Sequence, residues 1–144
     1  MTGIEIDAAG DGTAAEMLAR IARRARQPRP AFHAIFKLLR EGEREVFATR
    51  GATIGEAWPG LAKSTKRIKG HGQPLRASGD LIASLTLPLA PGRVADVAGQ
   101  AARFGTGLFY ARFVARRRPM VGASQSTSHR AGEAMLRFLL GHQS

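Results

Sequence analysis

The chain carries four histidines, at positions 33, 71, 129 and 142, and no cysteine. Two imidazoles meet on one helix face and can share a metal when they stand four residues apart. No pair here has that spacing, so no metal site is expected. The missing cysteines exclude a disulfide framework, a thiolate cluster and a cysteine nucleophile. Ser78, Asp80 and His71 are the residue types of a hydrolytic triad. A triad serine, however, stands on a sharp strand-to-helix elbow, and no such motif surrounds Ser78. Gly51-Ala-Thr-Ile-Gly55 lacks the Gly-Lys-Ser/Thr ending that cradles phosphates, and no glycine fingerprint follows a strand in a parallel unit. The expectation is therefore a protein that is not an enzyme, with no catalytic, cofactor-binding or metal-ligating residues and no cofactor.

The remaining chemistry is positive charge. Lys and Arg number 22 against 11 Asp and Glu, a formal net charge of +11. The excess is local. Residues 1–56 hold nine basic and eight acidic residues, whereas 57–79 hold Lys63, Lys66, Arg67, Lys69 and Arg76 with no acid. Residues 97–132 hold Arg103, Arg112, Arg116, Arg117, Arg118 and Arg130, again with no acid. Concentrated positive potential favours a polyanion or an acidic surface as its neighbour, although it can also be a solvated face that aids solubility. No aromatic interleaves the Lys63 to Lys69 cluster, so contacts there would be to phosphates and not by base stacking. Pro119 biases Arg118 toward extended backbone, which predicts that the triplet Arg116 to Arg118 lies along an edge or arm. Such charge also guards an edge strand against aggregation. The candidate DNA- or partner-facing set is thus Lys63, Lys66, Arg67, Lys69, Arg76, Arg116, Arg117 and Arg118.

The elements that must position these charges are legible by periodicity. Thr13-Ala-Ala-Glu16 fits a capping box, and Ala14, Leu18, Ile21, Ala22 and Ala25 recur at three and four, predicting a helix that Pro28 and Pro30 end. A second helix is predicted from Ala31 to about Arg50, with Phe32, Ile35, Phe36, Leu39, Val46 and Phe47 on one face. Glu41, Glu43, Arg44 and Glu45 fall largely off that stripe. Residues 51–79 lose periodicity and read as a long functional loop, with Trp58 as the apolar anchor at its base. Asp80 to Ala90 shows partial alternation, and Pro91-Gly92 reads as a turn before Val94 to Ala98, which predicts a hairpin. Leu108 to Val114 reads as a third strand or a short helix. Ser126-Thr-Ser128 offers caps for a last helix carrying Ala131, Ala134, Met135, Phe138 and Leu139, which Gly141 stops. The expected class is α+β, a small antiparallel sheet flanked by N-terminal helices and a C-terminal helix.

At 144 residues, with 44% hydrophobic and 23% charged residues, the chain suits one domain that buries roughly 68–70% of its unfolded surface. Residues 1–144 are accordingly read as a single domain with a flexible N-terminus over 1–12. The longest uncharged run, Leu81 to Gly92, has 12 residues and two prolines, too short for the ~20 of a spanning helix, so no membrane partner is expected. The N-terminus is acidic, which does not suit a signal peptide.

Four phrases in order complete the pattern: Trp58-Pro-Gly-Leu-Ala-Lys-Ser-Thr-Lys-Arg-Ile-Lys-Gly70, Leu75-Arg-Ala-Ser-Gly-Asp-Leu-Ile-Ala-Ser-Leu85, Phe104-Gly-Thr-Gly-Leu-Phe-Tyr-Ala111 and Arg118-Pro-Met-Val-Gly-Ala-Ser124. With the closing helix, their order and spacing over roughly residues 30 to 140 resemble the bacteriophage virion morphogenesis, or tail completion, family. Where that family has a His-Gln-Phe-Gly-like phrase, this chain has Arg112-Phe-Val114. The resemblance implies a non-enzymatic structural protein at the head-to-tail joint, or neck, of a tailed phage or phage-derived particle. It implies a homo-oligomeric ring, as a hexamer, that contacts a connector or adaptor and the tail tube, with genomic DNA passing non-specifically through its lumen. Such a protein belongs to the virion, and to the host cytoplasm during assembly. The rival from another class is a free-standing basic DNA- or RNA-binding protein. Against it, the chain has no zinc-finger spacing, no aromatic sheet signature and no helix-turn-helix.

Overall fold

Apolar spacing of three and four builds the first two helices of the computed structural model, which describes residues 12–55, 57–60 and 79–142. Helix α1 spans Gly12–Arg26 and α2 spans Arg29–Ala48. Pro28 occupies the N-cap of α2, and Pro30 lies in its first turn, where a missing N–H breaks no helical bond. Arg23, Arg24 and Arg26 load the last turn of α1, where cations suit the helix dipole. The helix begins at Gly12, so Thr13 sits inside the first turn and not at the expected cap position.

After Gly79 the structure departs from the expected hairpin. Asp80–Thr86 is a short helix, α3, and not a strand. Its alternation was only apparent: Leu81 and Leu85, four apart, are buried at 4% and 0% exposure and face the core together. The two hydroxyls of this segment bond within the helix, Ser84 to the Leu81 carbonyl at 2.7 Å and Thr86 to the Ile82 carbonyl at 2.6 Å. Leu87 then takes extended backbone ahead of Pro88, which ends the helix.

The hairpin lies one element later. Strand β1, Arg93–Ala98, pairs antiparallel with β2, Ala101–Thr106, in a register that sets Arg93 against Thr106 and Ala98 against Ala101. The two-residue loop is Gly99-Gln100, with Gly99 at φ +60°, the glycine-first pattern of a type II′ turn. A two-stranded sheet is marginal by itself. It is held by α2 and α3, through Phe36 stacked on Phe104 at 6.2 Å and through a 2.9 Å contact between the Ser84 and Thr106 hydroxyls.

Residues Ala111–Ala115 form a short helix, α4, and the arginine triplet continues it in turns, so the predicted extended edge or arm is corrected. Arg116 keeps helical dihedrals at φ −62° and ψ −35°, and Pro119 straightens the chain only after the triplet. Helix α5 spans Gln125–Leu140 and packs against α2 and α1. Its cap is Ser124, whose side chain accepts from the Thr127 N–H at 3.1 Å, two residues upstream of the expected Ser126 to Ser128. Gly141, at φ +80°, closes it as expected. The architecture is α+β, five helices and one antiparallel pair of strands among the described residues, with helices on both the N- and C-terminal sides. None of these helices is long and apolar enough to cross a membrane.

The core gathers Val46 and Phe47 from α2, Trp58, Leu81 and Leu85 from α3, Ala111 from α4, and Met120. Arg50 and Gly51, at φ 53° and 85°, turn the chain back over the end of α2 so that the Trp58 N–H donates to the Arg50 carbonyl at 2.6 Å. A Cβ on Gly51 would strike the Trp58 indole. Gly51→Ala therefore combines left-handed strain with overpacking and is expected to lower stability by on the order of 3 kcal/mol. Gly132→Ala, in α5 with open space around it, should raise stability by about 0.5–1 kcal/mol. Urea denaturation of both variants checks the pair; equal effects would remove Gly51 from its assigned role.

Candidate functional site

The described parts of the four phrases converge on one junction. The Trp58 indole N–H donates to the Pro119 carbonyl at 2.7 Å, and its ring meets Phe47 edge-on at 5.4 Å. From the other side Arg118 returns two hydrogen bonds to the Pro59 carbonyl, at 3.1 and 3.2 Å, and one to Gly60 at 3.4 Å. Trp58, Leu81 and Leu85, Ala111 and Met120 belong one phrase after another to the same buried cluster. The phrases thus have a packing role in common, and Trp58, 6% exposed, pins the start of the 57–60 segment to the 118–120 segment.

Beside this junction lies a buried acid that the sequence reading set off the apolar stripe. Glu43 is 1% exposed. Its Oε1 accepts the Gly122 N–H at 3.1 Å, while Oε2 has no partner among the described residues. Burial raises its pKa from 4.5 to about 7, against the smaller opposing effect of the Gly122 hydrogen bond. The signal was present in the spacing: Glu43 stands four residues after Leu39 and four before Phe47, on the same helical row. One residue earlier, Gly42 lets α5 approach, since a Cβ there would lie 2.8 Å from the Thr127 hydroxyl.

The basic residues separate into three groups. Lys63, Lys66, Arg67, Lys69 and Arg76 lie outside the described residues, as do most of the 51–79 loop and the N-terminal stretch through residue 11. Arg116 and Arg117 are exposed, next to exposed Arg112, whose guanidinium sits 4.8 Å from the Phe113 ring centre. Arg118 is half-buried and engaged by the Pro59 and Gly60 carbonyls, so it serves the junction more than the surface. A further group escaped the sequence reading: Arg40 is held below its ordinary pKa, first by burial and then by the charges of Arg93 and Arg44. Arg44 is itself anchored to the Thr86 carbonyl at 3.1 Å. These three come from α2 and β1, in stretches whose local charge balances, so counting along the chain hides them.

An open groove of about 590 Å³ runs between the end of β2, α4 and the 119–121 segment. Gly105, Phe109, Arg112, Met120 and Val121 are among its lining residues, and Phe109 is 77% exposed. Among the described residues, no three of His, Asp and Glu gather as a metal-binding group. His33 is exposed on α2 with its ring edge toward Phe36, and His129 lies 3.4 Å from Glu133 across one helical turn.

The raised pKa of Glu43 makes a stability prediction. The folded chain holds this proton more tightly than the unfolded one, so its contribution to stability is greatest below about 4.5 and is lost as pH rises through about 7. The loss is on the order of 3 kcal/mol. Glu43→Gln keeps an acceptor for Gly122 and cannot ionise. At pH 8 it should be more stable than the parent by on the order of 2–3 kcal/mol, and at pH 4 nearly equal to it. Chemical denaturation at both pH values decides this; a pH-independent difference would place the buried charge elsewhere.

Comparison with known protein families, with curated proteins and with solved structures found no match to this chain, so its function is argued from its own residues.

Proposed function

We propose that the chain is a non-enzymatic structural subunit of a tailed-phage or phage-derived particle. It forms a ring at the head-to-tail joint, with six copies around a lumen that passes DNA. The four ordered phrases suggest the family. The observation that carries the reading is a pair of exposed apolar surfaces on different elements. Met17 and Leu18 of α1 are 45% and 43% exposed, and α5, which packs on α1, exposes Leu136 and Leu140 at 56% and 40%. Elsewhere, the link from α3 to β1 exposes Leu87 at 48% and Leu89 at 84%. A ring closes through heterologous contacts, in which each subunit offers two different patches. A free-standing nucleic-acid binder has no need to leave both uncovered.

The charges fit the lumen side of this reading. Arg40, Arg44 and Arg93 form one cationic surface, and Arg112, Arg116 and Arg117 another, with none of the base-reading motifs on either. Phosphate contacts of this kind position a duplex without reading it. The neighbours in the particle would be a connector or adaptor ring and the tail tube.

The net charge of +11 favours the rival, a dedicated DNA- or RNA-binding protein, and affinity separates the two. A ring subunit should bind any duplex weakly, with Kd around 10⁻⁴ to 10⁻⁶ M at physiological salt, and each phosphate contact should add a slope of about −0.9 in log K against log salt. Arg93→Gln, and separately Arg116→Gln with Arg117→Gln, should weaken binding equally on every sequence and flatten that slope by about one contact per arginine. Fluorescence anisotropy at several salt concentrations measures both. Nanomolar affinity for one sequence, lost on changing a base pair, would support the rival. Electron microscopy of the particle tests the ring itself: a single asymmetric copy at the joint, or none there, overturns it.

A further inference from the structure

A two-stranded sheet has two backbone edges, and the register of this hairpin says which groups lie on them. Ala98 and Ala101 flank the two-residue loop, so they form a hydrogen-bonded pair, and such pairs alternate along an antiparallel ladder. Asp96 with Arg103 and Val94 with Gly105 come next, and a 2.6 Å bond from the Gly107 N–H to the Gly92 carbonyl continues the alternation. The N–H and C=O groups of Ala102, Phe104 and Thr106 on β2, and of Ala95 and Val97 on β1, therefore point away from the hairpin. Helices α2 and α3 cover one face of the sheet. Among the described residues no strand or backbone hydrogen bond covers either edge, beyond the Arg93 N–H, which reaches the Ala90 carbonyl at 3.3 Å. Open edges of this kind are templates for another strand.

We propose that a second copy of this chain docks on these edges head to tail, the β2 edge of one copy pairing antiparallel with the β1 edge of the next. Matching the free groups sets Phe104 against Ala95 of the next copy and Ala102 against Val97 of the next copy. That register brings Arg103 opposite Asp96 of the next copy in a non-hydrogen-bonded pair, where side chains come closest. Charge selects this arrangement over the pairing of like edges. Arg103 and Asp96 stand on the face away from Phe104 and the helices, where they are 80% and 63% exposed at the side chain. β2 against β2 would give Arg103 no carboxylate, and β1 against β1 would give Asp96 no cation. Exposed charges contribute little affinity, so they set the register and apolar contact must do the rest.

The apolar complement lies at one end of the hairpin. Arg93 stands opposite Thr106, so the link that precedes β1 and the chain that follows β2 leave side by side. Between paired copies, the link of one runs past the groove of the other. That link exposes Leu87 and Leu89, and the groove begins at Gly105 to Phe109, with Met120 and Val121 also lining it. The α1 and α5 surface takes no part and is left for a neighbour of another kind. This contact is heterologous; it names how the proposed ring would join its copies and rests on that reading for its closure.

The chain has no cysteine, so introduced thiols report the pairing without background. Ala98 and Ala101 are both exposed and come opposite each other between copies in the same register. Full-length Ala98→Cys and Ala101→Cys proteins, one of them isotopically labelled, are mixed at high concentration in a glutathione redox buffer, and the disulfide-linked dimers are weighed by mass spectrometry. Head-to-tail pairing should give the mixed dimer nearly alone, whereas random collision gives both homodimers beside it. Leu89→Asp on the link, and separately Val121→Asp in the groove, should cut the yield about tenfold or more, because each places a charge in an apolar contact. Leu136→Asp on α5 should leave it unchanged. Circular dichroism confirms that each variant is folded. No dimer, a random mixture, an excess of either homodimer, or a yield indifferent to Leu89 and Val121 overturns the proposal. A mixed dimer from a protein that makes no ring in the particle would support this contact and overturn the ring alone; a ring whose copies fail to crosslink would do the reverse.

Discussion

The indole of Trp58 is the constraint on which the rest of the molecule depends. Its N–H is a single donor that must find an acceptor when buried, and it finds one in the Pro119 carbonyl, 61 residues away in sequence. Seating the ring requires the left-handed turn at Arg50 and Gly51, the edge of Phe47 and the absence of a side chain at Gly51. Once seated, it fixes the segment that carries Met120 and Gly122. That segment in turn places the Glu43 hydrogen bond and one wall of the groove. Arg118 holds the same junction from outside through the Pro59 and Gly60 carbonyls. The guanidinium that composition assigned to an anionic partner is thus spent on the protein itself.

The helices were legible because their stripes are long. α2 repeats apolar residues from Ala31 to Phe47 and α5 from Ala131 to Leu140, and the α+β class follows from them. Where the sequence misled, the segments were short. Seven residues, Asp80–Thr86, supply two turns at most, and within two turns the pattern of a strand and that of a helix overlap. Tertiary contact decides, and Leu81 with Leu85 fill the core only if the backbone is helical. The caps failed for a related reason, since several adjacent hydroxyls compete around Ser124 and only geometry selects one. Glu43 was set aside by its charge although its position on the helical row pointed inward.

Charge was read less well than fold. A count along the chain finds acid-free stretches, but a surface is assembled from distant pieces. Arg40 and Arg44 hide among Glu41, Glu43 and Glu45 in the sequence, yet Glu43 turns inward and Arg40 comes within electrostatic reach of both Arg44 and Arg93 on the hairpin. The reverse holds for Arg118, counted as surface and engaged by carbonyls. The exposed pair Arg103 and Asp96, facing each other across the hairpin at 3.4 Å, adds little to either account because water screens it.

The first and last helices meet. Helix α5 packs on both α1 and α2, Arg24 donates to the Leu139 carbonyl at 3.2 Å across 115 residues, and Gln100 donates to the Ala25 carbonyl at 3.0 Å. During translation this arrangement imposes a wait. The α2 face that takes α5 has no cover until residues 125–140 are made, and at the usual elongation rates of 5–20 residues per second that interval is on the order of 4–15 s. The nascent chain passes that time with Ala31, Gly42 and their neighbours on α2 unburied, so the emergence of α5, more than any local nucleation, sets the moment at which these helices can pack.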